Sequence, residues 1–292
     1  MKSSPLAESS TSIDATLELA AQVIDRVDAR LLLQHTLGVE HAHLITHRHD
    51  PVAIAAHAAF LALVAQRRDG MPIAYITRRR EFFGVDFTVT PAVLIPRPET
   101  ELLVELALEQ ILESAQARIL DLGTGSGAIA ISIAKLRPNS SIVAVDLSSS
   151  ALAVARDNAA RILGRPCPAR IRFLQSDWFE ALAGQRFDLV VCNPPYVADA
   201  DPHLVQGDLR FEPSGALLGG RDGFEAIRKV VSHTPPHLLP GGWIMMEHGY
   251  DQAEQCRALA SQAGFSSVAT YPDLAGIPRV LTAQRTRTPS TA

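Results

Sequence analysis

The tetrapeptide Asn193-Pro194-Pro195-Tyr196 directly follows an apolar run, Phe187-Asp188-Leu189-Val190-Val191-Cys192, that reads as a buried strand. The Asn side-chain oxygen and a neighbouring backbone carbonyl are both acceptors, and two acceptors fixed in space can take both hydrogens of a planar NH2 group. Such a grip leaves the nitrogen itself free to attack an electrophile. The two prolines would keep the acceptors rigid, and the Tyr196 ring would cover one face of a flat amide. Simple turn formation before Pro-Pro is the rival reading of Asn193. Upstream, Asp121-Leu122-Gly123-Thr124-Gly125-Ser126-Gly127 ends one strand and opens a helix near Ala128. A compact turn of glycines at that place lets a ligand come close to the backbone.

The next apolar strand ends at Asp146, about 20 residues further on, where an acidic side chain can accept hydrogen bonds from ribose hydroxyls. An N-cap role is its bland alternative. Glycine at every second position, Gly123, Gly125 and Gly127, departs from the Gly-x-Gly-x-x-Gly spacing of dinucleotide sites. S-adenosylmethionine suits the turn better, with Gly123, Thr124, Gly125, Ser126, Gly127 and Asp146 as cofactor-binding candidates. Asp177-Trp178 follows the third strand-like run, where a carboxylate can accept adenine amino hydrogens and an indole can pack on the ring. Asp177 serves equally as an N-cap, and Trp178 equally as a core residue.

These turns need a sheet to hold them. Strand-like runs at Arg118 to Leu122, Ser141 to Val145, Ile171 to Leu174, Phe187 to Cys192 and Trp243 to Glu247 alternate with helical segments, which predicts crossover connections and a mostly parallel sheet. Ser267 to Tyr271 and Arg279 to Ala283 lie too close for a helical crossover and predict an antiparallel edge pair. Before the sheet, Ile13 to Arg68 has apolar residues at helical spacing, with Asp50-Pro51 as the start of one helix and Gly70-Met71-Pro72 as its end. Glu81 to Val89 alternates around Gly84, as a hairpin does. The expected division is an N-terminal helical domain at 1–78, a hairpin linker at 79–91, an α/β Rossmann-like catalytic domain with a seven-stranded sheet at 92–285, and a disordered tail at 286–292.

The 292 residues, 47% of them hydrophobic, can bury a substantial core. A net charge of −4 and a pI near 6.2 argue against a surface built to neutralise nucleic-acid phosphates. No apolar run reaches the length of a bilayer span and no secretory signal opens the chain, so a cytoplasmic protein is expected. Cys167, Cys192 and Cys256 read as free thiols, and Cys192 as a buried hydrophobe rather than a nucleophile. His41, His43, His47 and His49 lack a further ligand type and read as a solvated surface, so no metal is expected.

Asn193-Pro194-Pro195-Tyr196 after the fourth strand of such a sheet resembles the S-adenosylmethionine enzymes that methylate planar NH2 groups. Within them the chain is similar, from about residue 15 to 285, to the bacterial protein-(glutamine-N5) methyltransferase family acting on peptide chain release factors. Arg80-Glu81-Phe82-Phe83, Leu94-Ile95-Pro96-Arg97-Pro98-Glu99-Thr100-Glu101, Gln175-Ser176-Asp177-Trp178-Phe179 and Arg210-Phe211-Glu212-Pro213 carry the resemblance. It implies that the target is the Gln of the Gly-Gly-Gln loop of release factors, that the helical domain recognises the substrate protein, and that the enzyme is a monomer without direct nucleic-acid contact. It further implies that Asn193, Pro194 and Tyr196 are catalytic, and that Asn193, Pro194, Pro195 and Tyr196 bind the substrate. Asn193 would also face the cofactor. Arg97, Glu99 and Glu247 have no settled role from sequence. Gly276-Ile277-Pro278-Arg279 departs mildly from the family pattern and leaves the contact of Arg279 open. The rivals are a glutamine methylase of a ribosomal protein, an adenine-N6 methylase, and a silent cofactor-sensing module.

Overall fold

The computed structural model describes residues 11–113, 115–164 and 170–286. Cys167 and, Thr286 apart, the expected tail lie outside the described residues. The chain divides into two units, Met1–Arg78 and Arg79–Ala292. The first is helical: α1 (Ile13–Ala20), α2 (Arg26–Leu37), α3 (His41–Thr46), α4 (Ile54–Arg68) and α5 (Ile73–Thr77). Ile13, Leu32, Leu33, Leu44, Phe60 and Val64 form its core. Ser12 and Asp25 cap α1 and α2 by accepting from Ala15 N and Val27 N, and Gly38 ends α2 in the left-handed conformation. Asp50-Pro51 does not start α4, which begins at Ile54. Those residues instead anchor the start of the unit: Asp50 O accepts from Ile13 N, and Pro51 bridges Ser12. Tertiary pairing has taken over a turn that local chemistry alone assigns to a helix cap.

The second unit opens on a hairpin of β1 (Arg79–Phe82) and β2 (Val85–Thr88). Phe83 and Gly84 turn it with φ of 52° and 69°, the pair of positive values that matches strand twist in a two-residue turn. The hairpin is packed as part of this unit. Phe82 and Phe87 are buried in its core, and the Asn158 side chain both donates to Thr88 O and accepts from Thr88 N.

After α6 (Glu101–Gln110), strands and helices alternate as β3 (Arg118–Leu122), α7 (Ala128–Leu136), β4 (Ser141–Asp146), α8 (Ser149–Leu163), β5 (Ile171–Gln175), β6 (Phe187–Cys192), α9 (Glu225–His233), β7 (Leu238–Glu247), α10 (Ala253–Gln262), β8 (Phe265–Pro272) and β9 (Pro278–Arg285). The sheet has seven strands in the order β5-β4-β3-β6-β7-β9-β8. All its pairings are parallel except those of β9, which runs against both β7 and β8. The last two strands are therefore an antiparallel pair with β9 inside and β8 alone at the edge. Two cores flank the sheet. Ile119, Leu189 and Val191 face α6 and α7, while Leu120, Leu122, Val190 and Cys192 face α9 and α10. Strands covered on both faces must be apolar at successive positions, which is why they read as unbroken runs.

Candidate active site

The strand order reverses beside β3, whose neighbours β4 and β6 carry the chain away in opposite directions. A crevice opens at the carboxyl ends of strands at such a point. Leu122 at the end of β3 is paired in register with Cys192 at the end of β6. The next residues are Gly123 and Asn193, so a pairing across 70 positions sets the glycine turn beside the Asn-Pro-Pro-Tyr segment. Gly123, Gly125 and Gly127 all have positive φ, at 71°, 55° and 83°. A Cβ on Gly127 would lie 2.7 Å from Ile131 Cδ1 and 3.3 Å from Ala155 Cβ, so only glycine lets the turn enter α7 here.

A cavity of about 540 Å³ occupies this crevice. Gly123, Thr124, Gly125, Ser126, Asp146, Asp177, Trp178, Asn193 and Pro195 line it, while Gly127 supports the turn from behind. Asp146 takes Gly125 N on Oδ2 at 2.8 Å and Ser148 N on Oδ1 at 2.9 Å. The N-cap of α8 is Ser148, which accepts from Ala151 N at 3.1 Å. Burial raises the Asp146 pKa and these backbone donors oppose the shift. Beside these donors the carboxylate keeps lone-pair capacity for a ribose hydroxyl. Asp177 has a partner the sequence does not announce, Lys229 of α9, at 2.8 Å. Trp178 stands at φ 49°, a strained conformation for its type, with its carbonyl held by Ser176 Oγ at 3.0 Å.

The Asn193 amide donates from Nδ2 to Thr100 Oγ1 at 3.1 Å. This commits the donor end and keeps Oδ1 for another group. Tyr196 donates its hydroxyl to Glu247 Oε1 at 3.1 Å. Pro194 is buried, and neither it nor Tyr196 is in the cavity lining. The phenol is thus tied to the end of β7 as well as packed against the second core. Glu247 is 1% exposed, and burial raises its pKa against the opposing effects of Thr100, Tyr196 and Arg279. Cys192 is fully buried and its thiol is pushed well above the usual range, first by burial and then by Asp121 and Glu247, which leaves no thiolate for nucleophilic work.

Arg97 does not stand free at the surface. It pairs with Glu212, whose side chain is fully buried and whose Oε2 accepts Ile95 N at 3.0 Å. Arg80 Nε donates to Pro96 O at 3.1 Å, so this segment is held from two sides. The pair joins two cavity walls, one from Leu94, Pro96 and Arg97 and the other from Pro213, Gly215 and Ala216. Glu212→Ala is expected to lower unfolding stability by about 2–3 kcal/mol, somewhat below the cost of breaking a fully buried pair because Arg97 is 29% exposed and can turn to water. Chemical denaturation measures it, with Glu212→Gln, which keeps an acceptor for Ile95, losing less.

Away from the crevice, His43 and His47 stack at 4.0 Å on an exposed helix, and no group of three His, Cys, Asp or Glu among the described residues could hold a metal. Arg279 is settled by Asp273 at 3.0 Å across the turn between β8 and β9. Nothing in the sequence announces Lys229, nor the contacts made by Thr100, Glu212 and Glu247. The last three lie in recognisable motifs, but their partners are far along the chain.

A seven-stranded sheet of this order, with a glycine turn after its first strand and an Asn-Pro-Pro-Tyr segment after the fourth, defines an S-adenosylmethionine-dependent methyltransferase. The Methyltransferase small domain family matches residues 99–210, and the PrmC N-terminal domain matches residues 12–77. The release factor glutamine methyltransferase of Burkholderia pseudomallei is 53% identical over 89% of this chain and 92% of its own length. That of Bordetella pertussis is 52% identical over 90% and 96%. A methyltransferase structure from Pyrococcus furiosus shares the fold, with a TM-score of 0.52 and 18% identity over 77% of this chain and 98% of its own. The chain belongs to the release factor glutamine methyltransferase family.

Proposed function

We propose that this enzyme transfers a methyl group to the side-chain amide nitrogen, N5, of the Gln in the Gly-Gly-Gln loop of peptide chain release factors. The observation that carries the reading is the Leu122–Cys192 register, which sets an amide acceptor beside the cofactor turn. The residues present fit S-adenosylmethionine. Glycines at 123 and 125 keep the turn free of side chains, Asp146 has lone pairs for ribose hydroxyls, and Asp177 with Trp178 suits the adenine edge and face. When bound, the cofactor supplies an electrophilic methyl group on a positively charged sulfur.

An amide nitrogen shares its lone pair with its carbonyl and is a poor nucleophile. Asn193 Oδ1 and the Pro194 carbonyl would accept its two hydrogens, draw density onto nitrogen and fix its direction of approach. Pro195 and the buried Pro194 stiffen the backbone that carries these acceptors. Neither acceptor has to remove a proton before attack. Leu94, Ala216 and Leu218 give the cavity an apolar wall, and a site dried by bound cofactor and substrate would favour a transfer that neutralises charge.

The helical unit, with the sequence-defined span 1–78, recognises the release factor, and residues 92–285 carry out the chemistry. The setting is the cytoplasm and the working form a monomer, with protein rather than nucleic acid as substrate. No helix among the described residues is long and apolar enough to cross a membrane. Incubation with labelled S-adenosylmethionine and a release factor, a ribosomal protein or DNA tests the substrate. One methyl group on the Gly-Gly-Gln glutamine, located by mass spectrometry, is expected; label confined to ribosomal protein or DNA would sink the reading.

A further inference from the structure

Asp177 follows β5 and Lys229 stands on α9, 52 residues further along, yet Lys229 Nζ donates to Asp177 Oδ1 at 2.8 Å and both residues line the cavity. As an ion pair this one does little for the fold. The two side chains are 42% and 38% exposed, and pairs so open to water are close to neutral for stability. Their place in the cavity wall points to a ligand instead.

A lysine ammonium carries three donors and no acceptor, whereas a carboxylate accepts on two oxygens. The contact commits one donor and Oδ1. Nζ keeps further donors and Asp177 keeps Oδ2, so an acceptor and a donor stand side by side in the wall, one hydrogen-bond length apart. Adenine carries the complementary pattern: its amino group donates, and the ring nitrogens to either side of that group, N1 and N7, accept. Asp177 alone would recognise only the amino group. With Lys229 beside it, the pair can take the amino group and one ring nitrogen together.

We propose that Lys229 is a cofactor-binding residue that recognises adenine, donating from Nζ to a ring nitrogen beside the amino group that Asp177 accepts. This rests on the placement of adenine at Asp177 and Trp178 given above. Calorimetry compares the wild type with Lys229→Met, which keeps most of the stem and removes the donors, in binding S-adenosylhomocysteine and its 1-deaza and 7-deaza analogues, each lacking one ring acceptor. The wild type is expected to bind one of the two analogues about 5- to 20-fold more weakly than the parent. Lys229→Met should bind the parent more weakly by a similar factor and lose that discrimination, holding parent and analogue within about twofold of each other. A lysine that only kept Asp177 in place would weaken all three ligands alike and leave the wild-type ratio intact. Equal binding of all three by the wild type, or an unchanged ratio in the variant, would overturn the inference. Asp177→Ala with undiminished affinity for the parent would instead remove the placement of adenine, and this inference with it.

Discussion

Asn193→Ala is expected to lower turnover of a release factor by roughly a hundred- to a thousandfold while leaving cofactor affinity within a few-fold of wild type. The magnitude is that of losing one preorganised polar group aimed at a reacting centre, about 2.7–4 kcal/mol of transition-state stabilisation. Oδ1 is one of two acceptors for the amide hydrogens, and the Pro194 carbonyl alone leaves the nitrogen free to rotate about a single contact. The fold should tolerate the change. Asn193 is part-buried, and its Nδ2 bond to Thr100 is the hydrogen bond that holds its side chain. Truncation therefore leaves one hydroxyl without its donor. Single-turnover kinetics with saturating cofactor separate the two effects. Full activity in the alanine variant would remove the amide grip from the mechanism, and a loss confined to cofactor affinity would make Asn193 a cofactor ligand only.

The site was legible in the sequence where function rests on backbone conformation. Gly123, Gly125 and Gly127 announce positive φ by their residue type, and the structure has all three there. Asn193-Pro194-Pro195-Tyr196 declares its rigidity by its prolines. The strands that carry these turns were equally plain, since β3 and β6, apolar on both faces, match the expected Arg118 to Leu122 and Phe187 to Cys192 runs. Their adjacency could be inferred only through the family resemblance. Nothing in local sequence pairs Leu122 with Cys192.

What stayed hidden depends on contacts between distant positions. Thr100 reads as the end of a proline-punctuated loop, and its role follows from Asn193, 93 residues away. Glu212 meets Arg97 across 115 residues, and Lys229 meets Asp177 across 52. The two late strands were found, but their spacing could not say which would enter the sheet. Val280, Leu281 and Ala283 are buried, whereas β8 keeps exposed residues at its end, so the more apolar strand took the inner place. The Asp50-Pro51 misreading has the same origin. A cap signal is local, and the Ser12 bridge that claimed those residues is not.

Asp121 gives the second large effect, and it is one of stability rather than turnover. It ends no loop and touches no solvent: its side chain is fully buried under the glycine turn, accepting Thr124 Oγ1 at 2.6 Å on Oδ2, while Oδ1 has no partner. Burial pushes its pKa up from 3.8 to about 7, with the Thr124 and Ala130 donors opposing and Asp146 adding a smaller push in the same direction. The folded protein therefore binds this proton more tightly than the unfolded chain does. The stability so gained is fully present below pH 3.8 and is lost as pH rises through about 7. Between about pH 5 and about pH 8 this one group should cost the wild type roughly 2–3 kcal/mol. Asp146 and Glu247 slope the same way, because burial raises their pKa as well, so the wild-type curve alone does not isolate Asp121. Asp121→Asn does. Its amide costs something for a buried NH2 placed where Oδ1 lacks a partner, but that cost does not change with pH. Urea unfolding of both proteins across this range should show the variant gaining on the wild type by that amount as pH rises. Parallel curves would mean that Asp121 stays ionised in its buried site throughout.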